Sequence, residues 1–210
     1  MAALARPSPV AVPIAVAALA IAWRILVVNG VLYVSAGGEY AFNALTGQAL
    51  WTNNTVKSDT SPVVANGLVY FGGNNNNAFA LDAKTGAVRW SVQLGGYNNT
   101  VSPAMANGVF YIGAYDNNLY AFDGTTGKIL WRAVPGAGYA PAVANGVIYT
   151  STDGGLMAFN VKTGRLLWSY LIPYNQQGSV VCSVTIDNGM LYVGTSYGYL
   201  DAFHLQGTSS

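Results

Sequence analysis

The feature that most constrains this chain is an internal repeat. An Asn-Gly pair recurs at Asn29-Gly30, Asn66-Gly67, Asn107-Gly108, Asn145-Gly146 and Asn188-Gly189, at intervals of roughly 40 residues. A Thr-Gly pair follows at Thr46-Gly47, Thr85-Gly86, Thr126-Gly127 and Thr163-Gly164. Four residues after each of those glycines stands a tryptophan: Trp51, Trp90, Trp131 and Trp168. A third marker lies between the glycine pairs, at Tyr40-Ala41-Phe42, Phe79-Ala80-Leu81, Tyr120-Ala121-Phe122, Met157-Ala158-Phe159 and Asp201-Ala202-Phe203. Units this short cannot bury a core alone, so neighbours must stack and share one.

Each unit reads as four short strands, here lettered A to D. Strand A is an apolar run such as Pro62-Val63-Val64-Ala65, and strand B follows it, as in Leu68-Val69-Tyr70-Phe71. Asn-Gly between two apolar runs signals a tight hairpin, because a type I′ turn needs positive φ at both central residues. Strand C carries the x-Ala-Phe marker and ends in Asp82-Ala83-Lys84-Thr85-Gly86, where the Asp side chain caps the turn and Gly takes the left-handed position. Strand D holds the tryptophan, as in Lys128-Ile129-Leu130-Trp131. Nothing within the repeats has helical periodicity. Four antiparallel strands repeated radially predict an all-β fold, a β-propeller of five blades, with repeats at about 25–61, 62–102, 103–140, 141–178 and 179–210.

The fifth unit is incomplete: it reaches strand C at Tyr199 to His204 and has no tryptophan strand. Residues 1–24 form a separate segment, uncharged from Pro9 to Trp23, with Arg6 before it and Arg24 after it. Its length suits the apolar core of a secretory signal better than a membrane span, and Ala18-Leu19-Ala20 and Ala20-Ile21-Ala22 resemble cleavage sites. A signal or anchor is the first reading. The alternative is a strand, Val10 to Ala22, that completes the fifth blade or a neighbour's and so removes an exposed edge. A third possibility is that the repeats belong to a longer propeller.

From about Ile25 to Leu205 the run Val-x-Asn-Gly-x-x-Tyr, Leu-Tyr-Ala-Phe-Asp and Thr-Gly-x-x-Leu-Trp resembles the PQQ-like (quinoprotein) repeat. The third blade carries it best, in Val109-Phe110-Tyr111, Leu119-Tyr120-Ala121-Phe122-Asp123 and Thr126-Gly127-Lys128-Ile129-Leu130-Trp131. The resemblance implies that each tryptophan docks against the neighbouring blade as part of a structural girdle. It also raises an enzymatic alternative, a fragment or diverged relative of an alcohol dehydrogenase that uses pyrroloquinoline quinone and calcium. In such enzymes the resemblance implies a calcium held by carboxylates and amides in the central funnel, beside a vicinal Cys-Cys disulfide. This chain has one cysteine, Cys182, and its A strands are Ala, Val, Met and Pro, with Asp187 at a turn. Calcium takes six to eight oxygens. No cofactor is therefore expected outside that alternative, and the resemblance is to the non-catalytic branch.

Only 8% of the residues are charged and the formal net charge is +1, so no electrostatic footprint for nucleic acid is present. Contact with a membrane is expected only through the N-terminal segment. A polar but uncharged surface suits an exported protein, whether periplasmic, extracellular or on the cell surface. Gly194-Thr195-Ser196-Tyr197-Gly198 matches a hydrolase nucleophile elbow, with Asp201 and His204 downstream. The elbow needs a strand-to-helix turn, whereas the repeat register puts Ser196 between strands B and C and places Asp201 and His204 on one strand, facing opposite ways.

Strand alternation puts the A–B and C–D turns on one face of the propeller and the B–C loops and blade connections on the other. The first face repeats closely. The second varies, and variable loops on a rigid scaffold are where binding resides. The candidate residues there are Lys57, Asp59, Tyr97, Asn98, Asn99, Tyr115, Asp116, Tyr139, Asp153, Tyr174, Gln176, Tyr197 and Tyr199. Tyr and Asn offer flat contact area and adaptable hydrogen bonding. The sequence therefore reads as a non-enzymatic binding or assembly module for a peptide, a glycan or another protein. The other alternative is a subunit that self-assembles into homo-oligomers by N-terminal strand exchange.

Overall fold

The computed structural model of the chain describes residues 24–74, 76–96, 101–134, 138–152, 155–171, 183–195 and 198–205. These residues form five antiparallel sheets with no helix. The first blade holds β1 (Ile25–Val28), β2 (Val31–Ser35), β3 (Glu39–Asn43) and β4 (Ala49–Asn53). The second holds β5 (Val63–Ala65), β6 (Leu68–Gly73), β7 (Asn77–Asp82) and β8 (Val88–Gln93). The third holds β9 (Ala104–Ala106), β10 (Val109–Ala114), β11 (Asn118–Asp123) and β12 (Ile129–Ala133). The fourth holds β13 (Ala142–Ala144), β14 (Val147–Thr152), β15 (Gly155–Asn160) and β16 (Leu166–Leu171). The fifth holds β17 (Thr185–Asp187), β18 (Met190–Gly194) and β19 (Leu200–His204), so among the described residues it has three strands. The segment 1–23, and with it the reading of Val10 to Ala22 as a closing strand, lies outside the described residues.

Each A–B hairpin turns on its Asn-Gly pair, with φ of 51° at Asn66 and 75° at Gly67, both left-handed as a type I′ turn requires. Each complete C–D turn is capped by the side chain that ends strand C. Asp123 Oδ1, for example, accepts from the Thr125 and Thr126 amides at 3.1 and 2.8 Å. Beyond the turn, the pairing of strands C and D slips by one residue at the same place in four blades, after Ala41, Ala80, Ala121 and Ala158. Such a bulge re-aims the outer strand, and here it falls beside the tryptophan.

The core is the set of layers between blades. One cluster joins Tyr33, Ala41 and Trp51 to Val69, Phe71 and Leu81 across the first and second blades. A second joins Tyr70 and Trp90 to Phe110 and Phe122 across the second and third. Further clusters join the third blade to the fourth and the fourth to the fifth. The innermost strands β5, β9, β13 and β17 run beside one another in that order.

The tryptophans tie these layers together. Trp51 Nε1 donates to Ala83 O at 2.9 Å, Trp90 Nε1 to Gly124 O at 2.8 Å and Trp131 Nε1 to Val161 O at 3.2 Å. Each acceptor lies in the C–D turn of the next blade. The indole lies flat against the glycine of the same turn, so that a Cβ at Gly127 would sit 2.7–3.0 Å from Trp90 ring atoms. Trp168 differs: it packs on Tyr149 like its counterparts but is 38% exposed, against 8% for Trp51 and Trp90. The fifth blade departs from the Asp/Asn-x-x-Thr-Gly turn that would cover it, since Leu205-Gln206-Gly207 follows His204.

Two outcomes test this picture. Gly67→Ala meets open space and pays only for its left-handed φ, about 1 kcal/mol. Gly127→Ala adds a collision with the Trp90 ring, and urea unfolding should show it less stable than Gly67→Ala by a further ~1–3 kcal/mol. The Arg89 guanidinium, 2.7 Å from Asp82 Oδ2, and the Lys84 amide hold the Asp82 carboxyl down to about 2. A carboxylate with a depressed value stabilises the fold above its ordinary 3.8 and loses that contribution as pH falls towards 2. Asp82→Asn should therefore lower the melting temperature at neutral pH and flatten its decline over that acid range.

Candidate ligand-binding face

The B–C loops and the blade connections emerge together at the face opposite the Asn-Gly turns. Between the third and fourth blades they leave a cleft of about 310 Å³. Tyr115 and Asn117 line it from the β10–β11 turn, Tyr139 from the connection ahead of β13, and Thr152 from the end of β14. Val101, Ala114 and Gly138 complete the wall.

Both tyrosines are presented by fixed backbone. Tyr115 is 66% exposed, yet the turn beneath it is closed by Asn117 N donating to Ala114 O at 3.1 Å, with Asn117 at a φ of 63°. Asp116 next to it is engaged within the fold: Oδ1 accepts from Asn118 N at 3.0 Å and Oδ2 from the Tyr120 hydroxyl at 2.5 Å. Gly95 and Gly96, ahead of β9, press on this turn so closely that a Cβ at Gly96 would lie 2.6 Å from Asp116 N. On the other wall, Gly138 N and Tyr139 N both donate to Ser151 O, at 3.0 and 3.2 Å, and Thr150 Oγ1 donates to Tyr139 O at 3.1 Å. Among the described lining residues none is charged. Two phenol rings, an amide and a hydroxyl on such a frame suit a neutral ligand with flat surfaces and hydrogen-bonding groups.

Of the other residues singled out in the sequence, Lys57 and Asp59 are exposed on the connection between the first and second blades, away from this cleft. Asp59 Oδ1 is paired with Arg24 Nη1 at 2.7 Å. Tyr199 is exposed just before β19, its carbonyl accepting from Thr195 N at 2.9 Å. Tyr97, Asn98, Asn99, Asp153, Tyr174, Gln176 and Tyr197 lie outside the described residues, as do Ser196 and Cys182. Of the stretch resembling a hydrolase elbow, the described ends lie between β18 and β19: Gly198 N donates to Thr195 O at 3.1 Å, and β19 follows. Asp201 and His204 both lie on β19.

The sequence reading missed Glu39. It is 2% exposed at the start of β3, with Ser35 Oγ donating to Oε2 at 2.7 Å and Oε1 buried without a partner. Burial pushes its carboxyl up to about 8, against the opposing pull of the Ser35 hydroxyl and Arg24. Two signals could have found it: it is the chain's one glutamate, and alternation puts it on the face of Ala41, which packs on the next blade.

Among the described residues no three His, Cys, Asp or Glu side chains gather as a metal site, and no helix is long and apolar enough to cross a membrane. The innermost strands offer Val63-Val64-Ala65, Ala104-Met105-Ala106 and Ala142-Val143-Ala144, with Asp187 exposed where β17 turns into β18. This set does not fit a calcium-bound quinone.

Comparison with curated proteins finds no match. Among solved structures, BamB from Moraxella catarrhalis aligns at a TM-score of 0.73 and 22% identity, over 88% of this chain and 61% of that one. The chain thus spans less than two thirds of the BamB structure. The computationally designed Ika4 protein aligns at 0.64 and 17% identity, over 76% of this chain and 99% of the design. The quinohemoprotein alcohol dehydrogenase ADHIIG from Pseudomonas putida HK5 aligns at 0.61 and 20% identity, over 86% of this chain and 41% of the enzyme. The family model described as outer membrane protein assembly factor BamB matches residues 16–92 and 80–209. Repeat, fold and family model agree, and the chain belongs to this BamB family of PQQ-like repeat propellers.

Proposed function

We propose that this chain is an exported, non-catalytic binding module whose working surface is the face of variable loops, and that its ligand is an extended, largely uncharged polypeptide segment. The observation that carries the reading is the cleft between the third and fourth blades, where Tyr115 and Tyr139 face a shared space on fixed backbone. Membership of a family described as an outer membrane protein assembly factor supports a polypeptide over a small metabolite. A segment of a membrane β-barrel, with alternating apolar and polar side chains, offers the rings one face and the Asn117 amide its backbone groups. The reading includes no cofactor: the likeness to the quinohemoprotein dehydrogenase is one of fold, and the innermost strands supply few oxygen ligands.

The test is fluorescence anisotropy with labelled peptides tiled across strands of a membrane β-barrel. Tyr115→Ala and Tyr139→Ala should each weaken binding by about tenfold, the loss of one anchoring ring. Lys84→Ala, on the opposite face, should leave it unchanged. Binding that ignores both tyrosine changes, or that falls equally with Lys84→Ala, would overturn the reading, as would binding of free oligosaccharides in place of the peptides.

A further inference from the structure

The junction of the first two blades holds a different kind of group. Glu39 lies opposite Ser35 on one side and Asn53 on the other in the β2–β3–β4 register. In the second, third and fourth blades the matching places, opposite Gly72, Gly113 and Ser151, hold the buried apolar residues Ala78, Leu119 and Leu156. Only the first blade has an ionisable side chain at this step, and it is buried with one oxygen unpartnered. Two charged groups act on it: Arg24, just ahead of β1, which attracts it, and Asp59, on the β4–β5 connection, which repels it. Those two are paired with each other at 2.7 Å, and Ser35 contributes only its hydroxyl.

A neutral Glu39 asks nothing of Arg24. An ionised one is a buried carboxylate with an open acceptor, and leaving such a charge uncompensated is costly. The cation at hand is Arg24, whose Nη1 is held by Asp59 while Glu39 is neutral. We propose that Glu39 is a proton-operated catch at the junction of the first and second blades: protonated, it leaves Arg24 on Asp59; ionised, it draws Arg24 inward, frees Asp59 and loosens the loop face there. Arg24 O accepts the Ser35 amide at 3.2 Å, so the movement also disturbs the strand that carries Ser35.

The sign follows from where the proton is held. The folded chain keeps it to about 8, whereas an unfolded chain releases it near 4.5. Stability therefore falls as pH rises between those values and is level above them.

Because the chain has one glutamate, labelling with 13C-glutamate gives a single side-chain carboxyl resonance. Its titration in the full-length protein should have a midpoint near 8, moved up by Arg24→Gln and down by Asp59→Asn. The ratio of Ser35 amide exchange in wild type to that in Glu39→Gln should be constant below the midpoint and rise several-fold above it. A midpoint near 4.5 would overturn the proposal. So would a midpoint indifferent to Arg24 and Asp59, or an exchange ratio that stays flat through it.

Discussion

The structure depends on one repeated contact: an indole N–H of one blade donating to a backbone carbonyl in the C–D turn of the next, with the indole ring on that turn's glycine. The contact joins two demands that are hard to satisfy together. A large ring brings apolar area to the layer between blades, and its single donor must find a partner when buried. The partner is available because the turn is held open by an Asp or Asn cap, which leaves the carbonyl two residues before Thr-Gly free to accept. The glycine then serves two purposes, taking a left-handed φ and letting the ring approach more closely than a methyl group would allow. The bulge beside each tryptophan aims it. Blades are thus linked in series.

This linkage divides the two faces. On the turn side, every loop is committed to the fold: the Asn-Gly hairpins, the caps and the indole acceptors. Change there is felt in stability. On the opposite side the strands only need to be reconnected, and loop length and content vary from blade to blade. The tyrosine cleft and the ionic group around Glu39 both lie on that side, at different blade junctions. One side chain at the end of β4 also takes part in the linkage. Asn53 Nδ2 donates to Gly86 O at 2.8 Å, so its amide serves the link to the second blade.

The fold was legible because its determinants are local and repeated. Asn-Gly fixes the hairpins, Asp/Asn-x-x-Thr-Gly fixes the C–D turns, and the tryptophan spacing fixes how blades meet. The candidate face was less legible. Tyr115 and Tyr139 stand in different repeats, and no local rule says that their loops meet while Lys57 and Tyr199 stand elsewhere. Asp116 reads as an exposed loop acid, but its carboxylate is taken up by Asn118 and Tyr120. Alternation puts Glu39 on the face of Ala41, but how deeply that face is buried depends on a neighbouring sheet that alternation alone does not supply. The exposure of Trp168 follows from a departure visible in the sequence, the missing Thr-Gly turn after His204.

The claim that most of this rests on is that indoles lock consecutive blades. Hydrogen exchange at the tryptophan side chains tests it directly, with the resonances assigned through single Trp→Phe variants. The account predicts slow exchange at the Nε1–H of Trp51, Trp90 and Trp131, released only when the blades separate, and fast exchange at the more exposed Trp168. Equal and rapid exchange at all four would contradict it, because the blades would then be held by something other than these contacts.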